Sequence, residues 1–207
     1  MPPRNSSKTP PPTDAGGSAP EVWPPILIPS AAHEQAAWHA REKLGMIQQP
    51  WETARVLCLL SQMDPPPRLI VEIGCGMGGG LAAWQATGAE VIGVTIEGGD
   101  HRFTDHGATM VWGDSADPGT RKALREAIGK RQPDFVFIDG DHTADGVRAD
   151  TELAMSLKPR LIGWHDIAHR IHGPDILPVY TEACRGRRHL EIVQPAPETD
   201  GFGLVWP

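Results

Sequence analysis

Two short segments of the chain concentrate acidic and imidazole side chains. One reads Ile138-Asp139-Gly140-Asp141-His142, and the other reads Trp164-His165-Asp166. Each ends a mainly apolar run, 134–138 or 160–164, of the kind that forms a strand buried on both faces. Because the carboxyl ends of parallel strands meet at one edge of a sheet, where such folds bind ligands, we expect these ionisable side chains to converge there.

This group of side chains has the composition of a cation site. Carboxylates crowded into a cleft need a neutralising partner, either protons or a metal ion. Oxygen ligands favour a hard cation such as Mg²⁺, and the histidines would also admit Mn²⁺, Fe²⁺ or Zn²⁺. The alternative is a set of turn and helix-cap residues at strand ends, because Asp commonly caps the helix that follows.

A glycine-rich segment follows an earlier apolar run, 69–73, and reads Glu-Ile-Gly-Cys-Gly-Met-Gly-Gly-Gly from Glu72 to Gly80. Glycines there allow a tight turn and let a ligand lie against main-chain N–H groups. The glycines alone also satisfy the dinucleotide pattern G-x-G-x-x-G, or form a turn without a ligand. Glu72 favours another ligand, because a carboxylate would repel a pyrophosphate but suits the ammonium and sulfonium groups of S-adenosylmethionine (SAM).

The elements that must position these residues alternate along the chain. Apolar runs predict strands, and windows with apolar residues at helical spacing predict helices between them. This alternation indicates βαβ units in a doubly wound, mainly parallel α/β sheet. Two helices are predicted ahead of the first strand, at about 31–44 and 51–63. The predicted strands are 69–73, 90–96, 108–112, 134–138, 160–164, 189–193 and 201–206, and the later helices 80–87, 118–130, 143–158 and 176–185.

The acidic residue and glycine loop after the first strand resemble those of the class I SAM-dependent methyltransferases, over about residues 65–207. The resemblance implies a seven-stranded, Rossmann-like methyltransferase fold. It also implies that the loop binds the methionine part of SAM, that Thr95 or Glu97 binds the ribose, and that Asp114 and Ser115 bind the adenine. With Asp139 at the next strand end, the cofactor candidates are Glu72, Gly74, Cys75, Gly76, Gly78, Thr95, Glu97, Asp114, Ser115 and Asp139.

Ile-Asp-Gly-Asp-His followed by a strand ending in His-Asp is similar to one subgroup, the metal-dependent sugar O-methyltransferases and the related cephalosporin hydroxylase-like proteins. This similarity implies that Asp139 and Asp166 bind Mg²⁺ or another divalent cation. His165 takes the place of the subgroup's other acidic ligand, and it completes our list of metal candidates. Asp141 is expected to be the general base for an acceptor hydroxyl, with His142 as the second catalytic candidate.

Composition limits the classes of function. The chain has 207 residues and a formal net charge of −7, so it offers no basic field for a nucleic acid. Three separated cysteines match no metal motif and indicate a reducing compartment. With no apolar run long enough to span a bilayer and no leader pattern, we expect a cytoplasmic protein without membrane contact. A homo-oligomer is compatible with the sequence.

Three regions are predicted along the chain. Residues 1–22 are rich in Pro, Ser and Gly and are expected to be a disordered tail. Residues 23–64 are expected to be a helical segment packed on the core, and 65–207 the SAM-binding methyltransferase domain.

The resulting hypothesis is a SAM-dependent O-methyltransferase, assisted by a divalent metal, that acts on a hydroxylated small molecule such as a sugar or glycosylated metabolite. The alternatives are a non-catalytic SAM-binding module, a NAD-dependent dehydrogenase and a metal hydrolase. The dehydrogenase is disfavoured because no lysine follows Tyr180, the one tyrosine. His165, His169 and His172 also have a spacing that could be drawn as a zinc site.

Overall fold

A computed structural model describes residues 25–96, 107–194 and 199–207. The predicted tail at 1–22 and the ribose candidate Glu97 lie outside these residues. Two helices precede the first strand, and four more alternate with the strands that follow. The helices within the described residues are α1 (Ala31–Leu44), α2 (Pro50–Ser61), α3 (Gly79–Gln85), α4 (Pro118–Ile128), α5 (Ala144–Ser156) and α6 (Gly173–Ala183).

The strands of the described residues form one seven-stranded sheet in the order β3-β2-β1-β4-β5-β7-β6. β7 runs antiparallel to both of its neighbours, and the other pairings are parallel. The predicted doubly wound, mainly parallel α/β fold is therefore confirmed. The strands are β1 (Leu69–Ile73), β2 (Glu90–Thr95), β3 (Thr109–Trp112), β4 (Phe135–Ile138), β5 (Leu161–Trp164), β6 (Arg188–Ile192) and β7 (Phe202–Trp206).

The central strands are apolar along their length because helices cover both faces of the sheet. On one face, Val71 and Val136 pack in a cluster with residues of α4, α5 and α6. On the other, Ile70 and Phe135 pack with residues of α2 and α3, including Trp84. Every residue of β1, β4 and β5 is buried. These three strands form a rigid support for the residues that follow them.

The connection between α1 and α2 crosses the glycine loop. Gly45 ends α1 in the left-handed conformation, with φ of 73°. Arg41 donates hydrogen bonds to the carbonyl oxygens of Met46 and Ile47. A Cβ atom on Gly79 would lie only 2.2 Å from the Met46 nitrogen, so the connection lies directly against the start of α3. The helical segment thus contributes one wall of the region above the sheet edge, although the boundary at residue 64/65 stays a prediction.

Within the described ranges, none of the helices combines the length and the apolar character that crossing a membrane requires.

Candidate active site

A cavity of about 740 Å³ opens above the carboxyl ends of β1, β2, β4 and β5. The order of the sheet places it where the chain changes direction, because β2 and β3 extend to one side of β1 while β4 and β5 extend to the other. Ligands of doubly wound folds bind at this point. Most of the residues singled out from the sequence line this cavity.

The glycine loop forms part of the cavity wall through Gly74, Cys75 and Gly76. Gly74 has φ of 86°, and a Cβ there would lie 2.2 Å from the Asp139 carbonyl oxygen, so the loop closes tightly on β4. Gly76 is the opposite case, since a Cβ at Gly76 would meet no atom within 4 Å. Gly78 caps α3 with φ of 85° and is not among the residues that line the cavity.

Glu72 occupies a different place from the one that the sequence suggests. Its side chain is 1% exposed and is not part of the cavity wall. The Trp84 indole Nε1 donates a hydrogen bond to Glu72 Oε2 over 3.0 Å, and the other oxygen lies against Gly80. Burial and the nearby Asp139 raise the pKa of Glu72 well above its usual range. Glu72 therefore lies behind the glycine loop and supports it.

The ends of β2 and β3 contribute Thr95, Asp114 and Ser115 to the cavity wall. Asp114 Oδ1 accepts a hydrogen bond from the Ala116 nitrogen, which fixes the turn after β3. The Ser115 hydroxyl donates to Asp150, a buried acid on α5. Burial raises the pKa of Asp150 to about 6. Sequence reasoning missed this residue, which supports the Ser115 side of the cavity from below.

The structure brings together the three metal candidates. His165 Nδ1 lies 3.2 Å from Asp139 Oδ1 and 3.1 Å from Asp166 Oδ1. His142 completes the group, because its Nε2 lies 3.4 Å from Asp139 Oδ1 and 3.3 Å from Asp166 Oδ2. Two carboxylates thus alternate with two imidazoles. Asp166 holds its place with φ of 62°, a left-handed conformation that side-chain-bearing residues seldom adopt.

The electrostatics of this cluster favour bound protons when no cation is present. Burial opposes charge on His165, but the neighbouring Asp139 and Asp166 carboxylates raise the pKa of the imidazole to about 9. Burial likewise opposes charge on Asp139, yet the His165 charge and hydrogen bonds from both histidines hold the pKa of that carboxyl far below its usual range. The hydrogen bond to Asp139 raises the pKa of His142. A cation would take the place of these protons.

Asp141 and His142 lie at the mouth of the cavity. Asp141 is exposed, and its Oδ1 accepts a hydrogen bond from the Thr143 nitrogen over 2.8 Å at the start of α5. The His142 ring stacks on His172 with centroids 4.4 Å apart, and His172 stacks on His169 at 4.7 Å. His165 shares a group of potential ligands with Asp139 and Asp166, whereas His172 shares one with His142 and Asp166. Among the described residues, no such group contains all three histidines of the spacing considered for zinc.

Two further polar residues belong to this region although sequence reasoning did not find them. Gln48 is 5% exposed, and its Nε2 donates a hydrogen bond to Asp139 Oδ2. Glu52, on α2, is 0% exposed, and a carboxylate oxygen of Glu52 lies within 4.8 Å of a ring nitrogen of His165 and an oxygen of Asp200. The sequence offered only a weak indication of them, because Gln48 and Glu52 are two polar residues on either side of Pro50 in a segment expected to form helices packed on the core.

Comparisons with solved structures support the fold described above. An O-methyltransferase from Bacillus cereus in complex with SAH superposes with a TM-score of 0.58 at 18% identity, over 88% of this chain and 94% of that one. A Staphylococcus aureus protein assigned as a caffeoyl-CoA O-methyltransferase gives a TM-score of 0.57 at 10% identity, over 85% and 91%. The chain has the class I methyltransferase fold.

Sequence comparison is less extensive. No protein-family profile matches the chain. A curated relative, the ribosomal RNA large subunit methyltransferase E of Halorubrum lacusprofundi, is 27% identical over 175 residues. The match covers 74% of this chain and 64% of that protein, so it spans less than two thirds of the relative's length.

Proposed function

We propose that the protein is a SAM-dependent O-methyltransferase, assisted by a divalent metal, that methylates a hydroxylated small molecule such as a sugar or glycosylated metabolite. The observation that carries this proposal is a single cavity lined both by an open glycine loop and by a cluster of carboxylates and imidazoles. The two halves supply what the reaction needs: a place for the methyl donor and a place for the acceptor hydroxyl.

The cofactor half consists of the loop and the ends of β2 and β3. Gly76 suits a ligand because its open α-carbon lets a molecule lie against the main chain. Thr95 and Glu97 remain the ribose candidates, with Asp114 and Ser115 for the adenine. When bound, SAM supplies an electrophilic methyl group on a sulfonium. The protein's own contribution is to orient the acceptor in line with that methyl group.

The acceptor half consists of Asp139, His165 and Asp166 as ligands and Asp141 as the general base. Their donor chemistry fits a divalent cation, since two carboxylates and an imidazole lie within 4.8 Å of one another. Such a cation would lower the pKa of the hydroxyl that is to be methylated. A carboxylate oxygen of Asp141 takes the proton, and His142 holds Asp139 and Asp166 in place on the cavity side.

A small acceptor agrees with the charge of the chain. The curated relative is by its name a ribosomal RNA methyltransferase. Binding to RNA depends on basic residues that neutralise phosphates, whereas this chain has a net charge of −7. We therefore assign it a hydroxylated metabolite.

Calorimetry tests the proposal directly. The full-length chain is titrated with SAM, SAH and NAD, each with and without a divalent cation, and transfer from methyl-labelled SAM is then measured on a panel of glycosides and on RNA. We expect SAM and SAH to bind and label to appear on glycosides. Binding of NAD without SAM, or label on RNA alone, would contradict the proposal.

A matched pair of glycine variants localises the cofactor. Gly76→Ala and Gly88→Ala introduce a side chain at left-handed positions with nothing within 4 Å, but only Gly76 lines the cavity. Both variants should lose about 1 kcal/mol of stability. Gly76→Ala alone should weaken SAH binding, by about tenfold.

A further inference from the structure

His165 presents its two ring nitrogens to different surroundings. Nδ1 lies beside the carboxylates of Asp139 and Asp166. Nε2 is buried and has no hydrogen-bond partner within the described part of the chain. A buried imidazole nitrogen without a partner costs free energy, so such an atom points to a function or to an absent ligand. The side chain as a whole is 4% exposed.

The cavity side of His165 belongs to a three-ligand group that could hold a cation. Asp139, His165 and Asp166 each offer one ligand atom, and these atoms all lie within 4.8 Å of one another. His165 Nδ1 lies 3.2 and 3.1 Å from the nearest oxygens of the two carboxylates. Donor atoms that share one tetrahedral cation at about 2.1 Å lie about 3.4 Å from each other, so both of these separations are close to what a single ion would impose.

The opposite side of His165 faces a buried carboxylate that the proposed reaction does not use. Glu52 comes from α2, and its Oε1 accepts hydrogen bonds from the Thr199 hydroxyl and the Gly201 nitrogen, at 2.9 and 3.1 Å. Asp200 stands between these two residues and lines the cavity. Ligand atoms of Glu52, His165 and Asp200 all lie within 4.8 Å of one another.

We propose that the cluster binds a first-row transition-metal cation through Asp139, His165 and Asp166, and that Glu52 orients His165 by accepting the proton of its Nε2–H group. This inference specifies the metal half of the proposed function, because it names the class of cation and assigns a role to Glu52. It rests on the proposed function only for the use that the bound ion serves.

The donor set decides the class of cation. Mg²⁺ takes oxygen ligands almost exclusively and keeps several waters, whereas imidazole suits Mn²⁺, Fe²⁺, Co²⁺ and Zn²⁺. A site in which an imidazole stands beside two carboxylates therefore selects against Mg²⁺. The histidine at position 165, where the resembling subgroup has an acid, changes which ion is held and does not abolish the site.

Glu52 has the place and the support that a positioning residue needs. A metal-binding histidine usually donates its second ring N–H to a carboxylate, which fixes the ring orientation. With Nδ1 on the cation, Nε2 would carry the proton; Glu52 is fully buried, and one of its oxygens lies within 4.8 Å of a ring nitrogen of His165. The bonds from Thr199 and Gly201 hold the carboxylate in position and leave it able to accept one more.

Metal binding by the chelator-treated, full-length chain tests the ligand set. Calorimetry with Co²⁺, Zn²⁺ and Mg²⁺ alone should give Co²⁺ and Zn²⁺ affinities at least about 100-fold above that of Mg²⁺. His165→Asp should shift the ratio of Co²⁺ to Mg²⁺ affinity toward Mg²⁺ by about tenfold or more and change the visible absorption of bound Co²⁺. His189→Asp, at an exposed site on β6, should change neither.

Glu52→Gln tests the orienting role. It should weaken Co²⁺ binding by about 10- to 100-fold and alter the Co²⁺ spectrum, while the exposed Glu152→Gln on α5 behaves as wild type. Thr199→Val removes one of the hydrogen bonds that hold Glu52 and is the second variant in case Glu52→Gln does not fold. Thermal unfolding of the metal-free variants separates lost folding from lost orientation.

Two results would overturn the inference: Mg²⁺ binding as tightly as Co²⁺ to the wild type, or cation binding that is unchanged in His165→Asp and in both Glu52→Gln and Thr199→Val. Neither depends on the methyl donor. SAH binding measured on the same samples reports on the proposed function separately, so failure of one is distinguishable from failure of the other.

Discussion

The indole of Trp84 donates its hydrogen bond to Glu72, and both side chains are buried beneath the glycine loop. The bond joins α3 to β1 on the face of the sheet that α2 and α3 cover. The carboxyl that the sequence suggests as a cofactor contact is therefore hydrogen-bonded beneath the loop.

Glu72→Gln should therefore leave SAH affinity within about threefold of wild type, because an amide oxygen can still accept the Trp84 bond. Trp84→Phe removes the donor and leaves the buried carboxyl unpaired, which should lower the free energy of unfolding by about 1–3 kcal/mol. Calorimetry with SAH and urea denaturation measure the two effects. A tenfold loss of SAH affinity in Glu72→Gln would indicate direct contact with the cofactor.

The alternation of side chains along β1 explains why the surroundings of Glu72 were difficult to predict. Side chains alternate between the faces of a strand, so Glu72 shares a face with Ile70, which packs with α2 and α3. The sequence motif locates a loop that lines the cavity, but it contains no information on which neighbour satisfies a buried carboxyl. The partner, Trp84, is twelve positions later on a helix whose rotation depends on the whole core.

Gln48 connects the helical segment to the cluster of Asp139, His165 and Asp166 through its bond to Asp139. Gln48→Ala should lower kcat/KM for methyl transfer by about tenfold or more, because Asp139 loses a buried donor. Stability should hardly change, since Gln48 Oε1 is itself buried without a partner among the described residues. Steady-state kinetics and thermal unfolding measure these effects. Gln132→Ala, at an exposed site, is the control, and equal kinetics in both variants would contradict the assignment.

Asp141 is the proposed base, and its removal should separate chemistry from binding. Asp141→Asn should keep SAH and cation affinity while turnover falls by about 10²- to 10⁴-fold, as expected when a general base is lost. Asp145→Asn, an exposed change in the first turn of α5, should retain full turnover. If Asp141→Asn instead abolishes SAH binding, the residue belongs to the cofactor half of the cavity.

Asp150 should make stability depend on pH. Because burial raises its pKa to about 6, the folded chain binds this proton more tightly than the unfolded chain does. The free energy of unfolding should therefore fall, by up to about 3 kcal/mol, as the pH rises from about 4 to about 6. Urea denaturation at pH 4–7 should show this fall in the wild type and in the exposed Asp175→Asn, and a flatter profile in Asp150→Asn. Identical profiles in all three would refute the assignment.

The convergence of Asp139, His165 and Asp166 was predictable because it needs only strand ends and a parallel sheet. Gln48 and Glu52 were not, since they lie about ninety or more positions before the residues they face and approach them through the packing of α1 and α2. Local patterns locate a residue within its own element. They do not show which other elements cover the edge of a sheet.

The left-handed backbone at Asp166 limits which replacements of this residue can be interpreted. Asn tolerates that conformation nearly as well as Asp does, whereas most other side chains add a cost of about 1–2 kcal/mol. Asp166→Asn thus removes the negative charge with little disturbance of the main chain, but Asp166→Ala removes the charge and strains the turn together. Natural variation at this position should for the same reason be confined mainly to Asp, Asn and Gly.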